Sequence, residues 1–435
     1  MSHPTTIVAL SSGSLPSGVA IIRLSGPAAF SAIASLAGTL PEPRHLSLRT
    51  LRDDTGEPLD QGLIATFPAP NSFTGEDCAE LQVHGSPAGV KAILAALTAM
   101  PGIVLAGPGD FTRRAFENGK LDLTAIEGLG DLLAAETETQ RRQALARLEG
   151  GLAEKIVLWR GLLLDSRAEI EACLDFSDED DVPFELPAHF TEDLETLAAA
   201  LQEALDGYER GRITREGFRI VLAGAPNAGK SSLLNALAGS DLAIVTPEAG
   251  TTRDTKDVSI DLGGQLVTLT DTAGLRDTES LAEGEGIRRA HLAMQAADLV
   301  LLLTAPDTDT PSIASIPTPV WTVGTKIDLS DDRSQADLSL SAHTGQGIPL
   351  LIERLERHIE QRFSASEPGL VSHLRDKEAL GSAIAHVRAG LARVDQPELC
   401  AEELRRAADT LAGLIGLMDS EAVLDRLFVG FCIGK

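Results

Sequence analysis

The segment GAPNAGKS, residues 224–231, fits the pattern G-x-x-x-x-G-K-[ST] and stands between the apolar run FRIVLAGA and the helical run SLLNALAG. Glycines at this spacing let backbone N–H groups wrap a phosphate, and the helix that follows favours negative charge at its start. Within the loop Asn227, Ala228, Gly229 and Ser232 flank Lys230, which reaches the outer phosphates, and Ser231, whose hydroxyl ligates Mg2+. DTAG, 271–274, follows the run QLVTLT, where Asp271 holds the metal through water and Gly274 senses the terminal phosphate beside Thr272 and Ala273. GTTRD, 250–254, lies between the two and offers Thr252 as a second hydroxyl ligand, next to Gly250 and Thr251. Alone it would be a Thr-rich loop; its place between the other motifs gives it meaning.

Base choice falls to TKID, 325–328. Asp328 accepts two hydrogen bonds from guanine N1 and N2, a pattern that adenine lacks, and the stem of Lys326 lies along the base. SAHTG, 341–345, with Ser341 and Ala342, resembles the loop that holds the base carbonyl in GTPases, while Thr325 stands where GTPases usually place an Asn. After DTAG the usual place of a water-positioning Gln is taken by Leu275, so another group must orient water and offset charge. Asn227 reads either as a ligand of a monovalent cation against the phosphates or as a simple turn residue after Pro226.

These motifs need elements to hold them. FRIVLAGA, QLVTLTD, ADLVLLLTA and PVWTVGT read as buried strands, and Ile348, Ile352, Leu355, Ile359 and Phe363 mark a closing helix, which predicts a parallel doubly wound sheet. Nearer the start, TIVAL, VAIIRLSG and CAELQVHG read as strands, with helices in GPAAFSAIASLAG and SPAGVKAILAALTAM, an α+β pattern. Leu145, Leu148, Leu152, Ile156, Trp159 and Leu163 recur at helical steps, and helical spacing returns beyond the linker FSASEPGLVSH. Helices thus flank the sheet on both sides, so the sheet domain is expected to be inserted into one helical domain made of two chain segments. The expected boundaries are 1–119, then 120–210 and 370–435 for the helical domain, with the sheet domain at 216–364. The acidic run FSDEDDVPFE reads as a solvated loop.

The chain has 435 residues, 43% apolar and 23% charged, the balance of a globular multidomain protein. Lys and Arg number 37 against 64 Asp and Glu, a net charge of −27 that repels nucleic acid and acidic membrane at long range. A nucleic-acid role therefore needs a local basic patch or a helper protein. Cys78, Cys173, Cys400 and Cys432 form no C-x-x-C pair, which suggests neither a disulfide framework nor a zinc site and fits a reducing cytoplasm. No apolar run approaches a membrane span, and the start MSHPTTIVAL has no signal-peptide pattern.

VAIIRLSG, TGEDCAELQVHGSP, GDFTRRAFENGKLDL, GAPNAGKSSLLNAL, GTTRD, DTAGLR and the terminal FCIGK together resemble the tRNA-modifying GTPase family called MnmE or TrmE, over essentially the whole chain. The resemblance implies an N-terminal α+β folate-binding domain through which the protein dimerises, a discontinuous helical domain, and an inserted P-loop G domain. It also implies GTP hydrolysis assisted by K+ and Mg2+, a bound tetrahydrofolate derivative, and an FAD-containing partner, MnmG (GidA), in a heterotetramer-type complex. Together the two would install an aminomethyl-type group on the tRNA wobble uridine. Folate contacts carry over to Arg23, Glu80, Lys120 and Lys435, K+ ligands to Asn227, Thr246, Glu248 (through its carbonyl) and Thr251, and Mg2+ ligands to Ser231 and Thr252. The catalytic glutamate maps to Glu283, with Glu279 and Glu285 as neighbouring competitors. Cys432 reads either as a thiolate for the modification chemistry, favoured by Lys435, or as a buried small hydrophobe behind Phe428 and Phe431. Arg113, Arg114, Arg141 and Arg142 are the basic residues to test for tRNA contact. Two rivals remain at this level: a ribosome-type regulatory switch without covalent chemistry, and a folate-dependent methyl or formyl transferase with an incidental G domain.

Overall fold

The computed structural model describes residues 4–176, 186–244, 257–271, 283–308, 316–329, 336–363, 369–418 and 434. The chain forms two compact units, one of Met1–Gly130, Leu148–Leu186 and Arg393–Lys435, the other of Asp131–Arg147 and Pro187–Ala392. No helix among the described residues is long and apolar enough to cross a membrane.

The first unit holds a sheet of β1 (Thr6–Leu10), β2 (Ser17–Ser25), β3 (Ser47–Arg52), β4 (Pro58–Phe67), β5 (Cys78–Gly85) and β6 (Ile103–Leu105). Their order is β3-β4-β5-β2-β1-β6, antiparallel except where β1 meets β6. Side chains alternate along each strand. Ala20, Ile22 and Leu24 of β2 and Ala79, Leu81 and Val83 of β5 are buried with Ile33 and Leu36 of the helix Ala29–Ala37 and with Val90 and Ile93 of Pro87–Thr98. That period leaves Arg23, Ser25, Cys78 and Glu80 on the opposite face. In the same unit the helices Gly151–Phe176 and Pro397–Leu414 pack together, burying Leu152, Ile156, Leu163, Leu404 and Leu411.

The second unit holds β7 (Phe218–Gly224), β8 (Asp257–Leu262), β9 (Gln265–Asp271), β10 (Leu299–Thr304), β11 (Val320–Gly324) and β12 (Leu338–Ser339), in the order β12-β11-β10-β7-β9-β8. All neighbours are parallel except β8 and β9. The expected doubly wound sheet is therefore parallel with one antiparallel edge. DVSIDL escaped the sequence reading because only Ile260 and Leu262 of that edge strand are buried, whereas central parallel strands read as unbroken apolar runs. One face packs against the helices Lys230–Ala238 and Ile348–Phe363 through Leu233, Leu237, Leu351 and Leu355. Val221, Ala223 and Val300 on the other face meet Met294 of the helix Glu283–Ala296.

The helical part of this unit is joined by buried polar contacts. Arg147, wholly buried, pairs with Asp376 at 2.8 Å and also donates to the Leu370 carbonyl. Gln143 Nε2 donates to the carbonyls of Gly211 (3.0 Å) and Gly369 (2.6 Å). These two glycines are in backbone contact: a Cβ on Gly211 would stand 2.1 Å from the Val371 oxygen, and one on Gly369 would stand 2.8 Å from the Gly211 Cα.

Candidate functional site

β7 ends at Gly224, and the turn into the helix Lys230–Ala238 requires φ values of +147° at Gly224, +66° at Asn227 and +92° at Gly229. Glycine adopts these freely, and Asn is among the few other residues that tolerate them. The left-handed backbone thus accounts for an Asn at 227 as a turn residue, while its side chain is exposed. At Gly224 space adds a second constraint, since a Cβ would approach the Leu303 carbonyl to 2.5 Å. Lys230, 6% exposed, donates from Nζ to the carbonyls of Gly224 (2.9 Å) and Ala225 (2.8 Å), so its ammonium bridges the loop where an outer phosphate would meet it.

Ser231 Oγ donates to Asp271 Oδ2 at 2.9 Å. Asp271 closes β9 beside Leu222 of β7 and is 1% exposed. A hydroxyl and a carboxylate in contact at the foot of a phosphate loop are hard oxygen donors of the kind Mg2+ takes. Ala228 is buried inside the loop and Ser232 is exposed on the helix that follows.

The base loops are preorganised as well. Ser341, fully buried, donates to the Asp328 carboxylate and holds it below the ordinary carboxylate range. Ala342 follows in the turn that Thr344 closes by donating its N–H to Ser341 Oγ at 3.2 Å. Lys326, at φ +57°, sends its ammonium to Asp307 at 2.7 and 2.9 Å, and that contact lowers the Asp307 carboxyl. Thr325, 4% exposed, lies within donating distance of the Ala228 carbonyl at 2.8 Å and the Thr304 carbonyl at 3.1 Å. The substitution read from the sequence as a departure thus links the base loop to the phosphate loop.

Several expected positions lie outside the described residues: Thr246, Glu248, Gly250, Thr251, Thr252, Thr272, Ala273, Gly274, Cys432 and Lys435. Glu283 opens the helix Glu283–Ala296, and its side chain also falls outside them.

A second polar site lies on the other face of the first unit's sheet, where Ile7, Ala9 and Phe111 are also buried. Arg23 and Glu80 are direct cross-strand partners, with Arg23 Nε and Nη2 donating to Glu80 Oε1 at 3.0 and 2.9 Å. The guanidinium stands 5.4 Å from the Phe73 ring centre and 5.9 Å from that of Phe111. Phe73 shares a loop with Gly75, over which the Lys120 stem lies: a Cβ there would meet Lys120 Cε at 3.3 Å. The same loop thus touches Arg23 through Phe73 and Lys120 through Gly75. Of the basic residues named for tRNA contact, Arg114 is buried in an ion pair with Glu76 at 2.7 Å, and Arg141 and Arg142 both bind Glu138, whose carboxyl Arg141 and Arg142 hold down to about 2. Sequence reading missed Phe73, Glu76 and the role of Arg114. The signal in hand was the string FTGED beside the strand carrying Glu80.

The profile described as "MnmE helical domain" matches residues 123–432, and that described as "GTP-binding protein TrmE N-terminus" matches residues 6–120. Over 99% of this chain and 99% of the relative, it is 47% identical to the tRNA modification GTPase MnmE of Rhizobium johnstonii. The same coverage holds for the proteins of that name from Azorhizobium caulinodans, 48% identical, and Rhizobium meliloti, 49% identical.

Proposed function

Because this chain belongs to the tRNA modification GTPase MnmE family, we propose that its GTP cycle drives folate-dependent aminomethyl-type modification of the tRNA wobble uridine, in the cytoplasm and together with an FAD-containing partner, MnmG (GidA). The chain is a GTP hydrolase of tRNA modification. The observation that carries the nucleotide part is the contact of Ser231 with Asp271 beside the Lys230 bridge. Ser231 would hold Mg2+ with Thr252, and the ion, when bound, neutralises charge on the phosphates. Lys230 would exchange its two loop carbonyls for phosphate oxygens, and Asp328 would choose guanine.

K+ would be held by Asn227, Thr246, Thr251 and the Glu248 carbonyl; Leu275 in the place of a water-positioning Gln supports a need for such a charge. Glu283 would orient the attacking water. A tetrahydrofolate derivative suits the sheet face that carries the Arg23–Glu80 pair and Phe73, with the Lys120 stem against Gly75 of the Phe73 loop. Lys435 would complete that site, Cys432 would serve the modification chemistry, and the first unit would pair with its copy in a homodimer. The net charge of −27 favours tRNA binding that depends on the partner.

Nucleoside analysis of tRNA from cells lacking this protein tests the whole reading. Loss of the modified wobble uridine, restored by the intact gene and not by a Lys230→Ala copy, is the expected result. An unchanged nucleoside profile would leave a regulatory GTPase.

A further inference from the structure

Resting on the folate reading of the first unit, we propose that Phe73 is a binding residue of that site, its ring packing against the p-aminobenzoyl ring of the tetrahydrofolate derivative. Phe73 is 38% exposed, and the Arg23 guanidinium lies over its ring, 5.4 Å from the centre. The guanidinium takes one side of the ring, and the rest of the aromatic surface is open to a ligand. Beside it, Arg23 donates twice to Glu80 through Oε1 alone, and the two side chains are themselves 21% and 20% exposed.

The loop holds this ring in place from both sides. Thr74, the next residue, is fully buried; its hydroxyl bonds the Ser25 hydroxyl at 2.7 Å, and its carbonyl accepts from Asn118 Nδ2 at 2.8 Å. Ser72, the residue before, donates to the Glu76 carbonyl at 2.5 Å, and the Ala69 N–H donates to Asp77 Oδ1 at 2.9 Å. Arg114 grips Glu76 at 2.7 Å. A ligand that covers the ring therefore has little backbone left to order, and contact with the ring goes into affinity.

A lone exposed Phe is ordinary on a protein surface. Phe73 differs because of what its loop touches on either side of it. At Phe73 the loop meets the Arg23–Glu80 pair; at Gly75, roughly 7 Å along the chain at most, it meets the stem of Lys120. A folate has three parts in the same order. Its pterin carries N–H donors for a carboxylate such as Glu80, its glutamate carries carboxylates for a cation such as Lys120, and a flat p-aminobenzoyl ring joins the two. An aromatic side chain between the acceptor and the cation suits the middle part, since ring pairs attract in offset or edge-on contact beyond the area they bury.

The test titrates the full chain, under anaerobic conditions, with tetrahydrofolate, with tetrahydropteroate, which lacks the glutamate, and with 6-methyltetrahydropterin, which lacks the p-aminobenzoyl ring as well. Phe73→Ala is expected to weaken the first two by about tenfold and to leave the third unchanged. Lys120→Ala is expected to weaken tetrahydrofolate alone. Phe73→Tyr, which keeps the ring, is expected to bind all three as the parent does. Parental affinity for tetrahydrofolate in Phe73→Ala would overturn the proposal. An equal loss for all three ligands would overturn it too, because a ring that only shapes the loop would give that result. Failure of the unaltered protein to bind any of the three would overturn the folate reading itself. Should Phe73→Ala not fold, Phe73→Leu removes the ring but keeps apolar bulk, and its titrations are read in the same way.

Discussion

The Thr325 hydroxyl stands 2.8 Å from the Ala228 carbonyl, so the loop that would read the base and the loop that would hold the phosphates meet in one hydrogen bond. Removing it should loosen both. Thr325→Val leaves a buried carbonyl short of a partner, and is expected to lower stability and GDP binding by about 1 to 2 kcal/mol each. Selection of guanine over adenine should persist, because Asp328 and Ser341 are untouched. Thermal unfolding and GDP and ADP titrations read the three effects separately, and a Val variant with unaltered GDP affinity would make this bond idle.

Hydrolysis should run markedly faster in K+ than in Na+, with Asn227→Ala erasing the difference more than it weakens nucleotide binding. The exposed Asn227 and the sequence position of Leu275 motivate this. Steady-state rates in the two salts, at matched ionic strength, decide it; equal rates would assign Asn227 to its turn alone.

Burial pushes the Asp376 carboxyl up, but the Arg147 guanidinium outweighs burial, so the group titrates below its ordinary value of 3.8. Its contribution to stability is complete above that value and is lost as pH falls through the lower native one. Asp376→Asn, which strands a buried guanidinium, should cost about 3 to 5 kcal/mol at neutral pH. The gap between variant and parent should shrink below about pH 4, where the unfolded parent takes up its proton while the native carboxylate still holds its charge. It should close as pH falls through the lower native value. A denaturant series at pH 7 and pH 3 measures both. A gap that stays constant would remove the ion pair from the account.

Burial also pushes the Cys400 thiol up to about 11. At pH 8 it should stay unalkylated by iodoacetamide in the folded protein, and react only after unfolding. Peptide mapping after brief labelling checks this, and would show in the same run whether Cys432 reacts as a thiolate.

The nucleotide loop was legible because its chemistry is local. A phosphate cradle needs glycines, a lysine and a hydroxyl within one turn, so spacing alone names Lys230 and Ser231, and buried parallel strands announce themselves as apolar runs. Long-range pairing was not legible. Nothing in sequence periodicity joins Ser231 to Asp271 or Thr325 to Ala228, although motif order implied that these loops meet. Arg114 illustrates the opposite failure. It reads as one of two neighbouring surface cations, yet helix geometry turns Arg113 and Arg114 to different sides, and Arg114 is buried against Glu76. DVSIDL and the edge strand β3 were missed because half-exposed strands carry weak patterns.

The touching backbones of Gly211 and Gly369 make the sheet of the second unit a pendant on a closed clasp. The outgoing and returning chains are fastened before and after the excursion, so the ends of that long segment need no further search to find each other once the clasp has formed. Loops within the pendant can lengthen or shorten with little consequence for the helices that carry it, apart from the Gly263–Gly264 turn, whose Gly264 carbonyl accepts from the Thr139 N–H and hydroxyl. A single methyl group at Gly211 would do what such changes do not, and wedge the clasp apart.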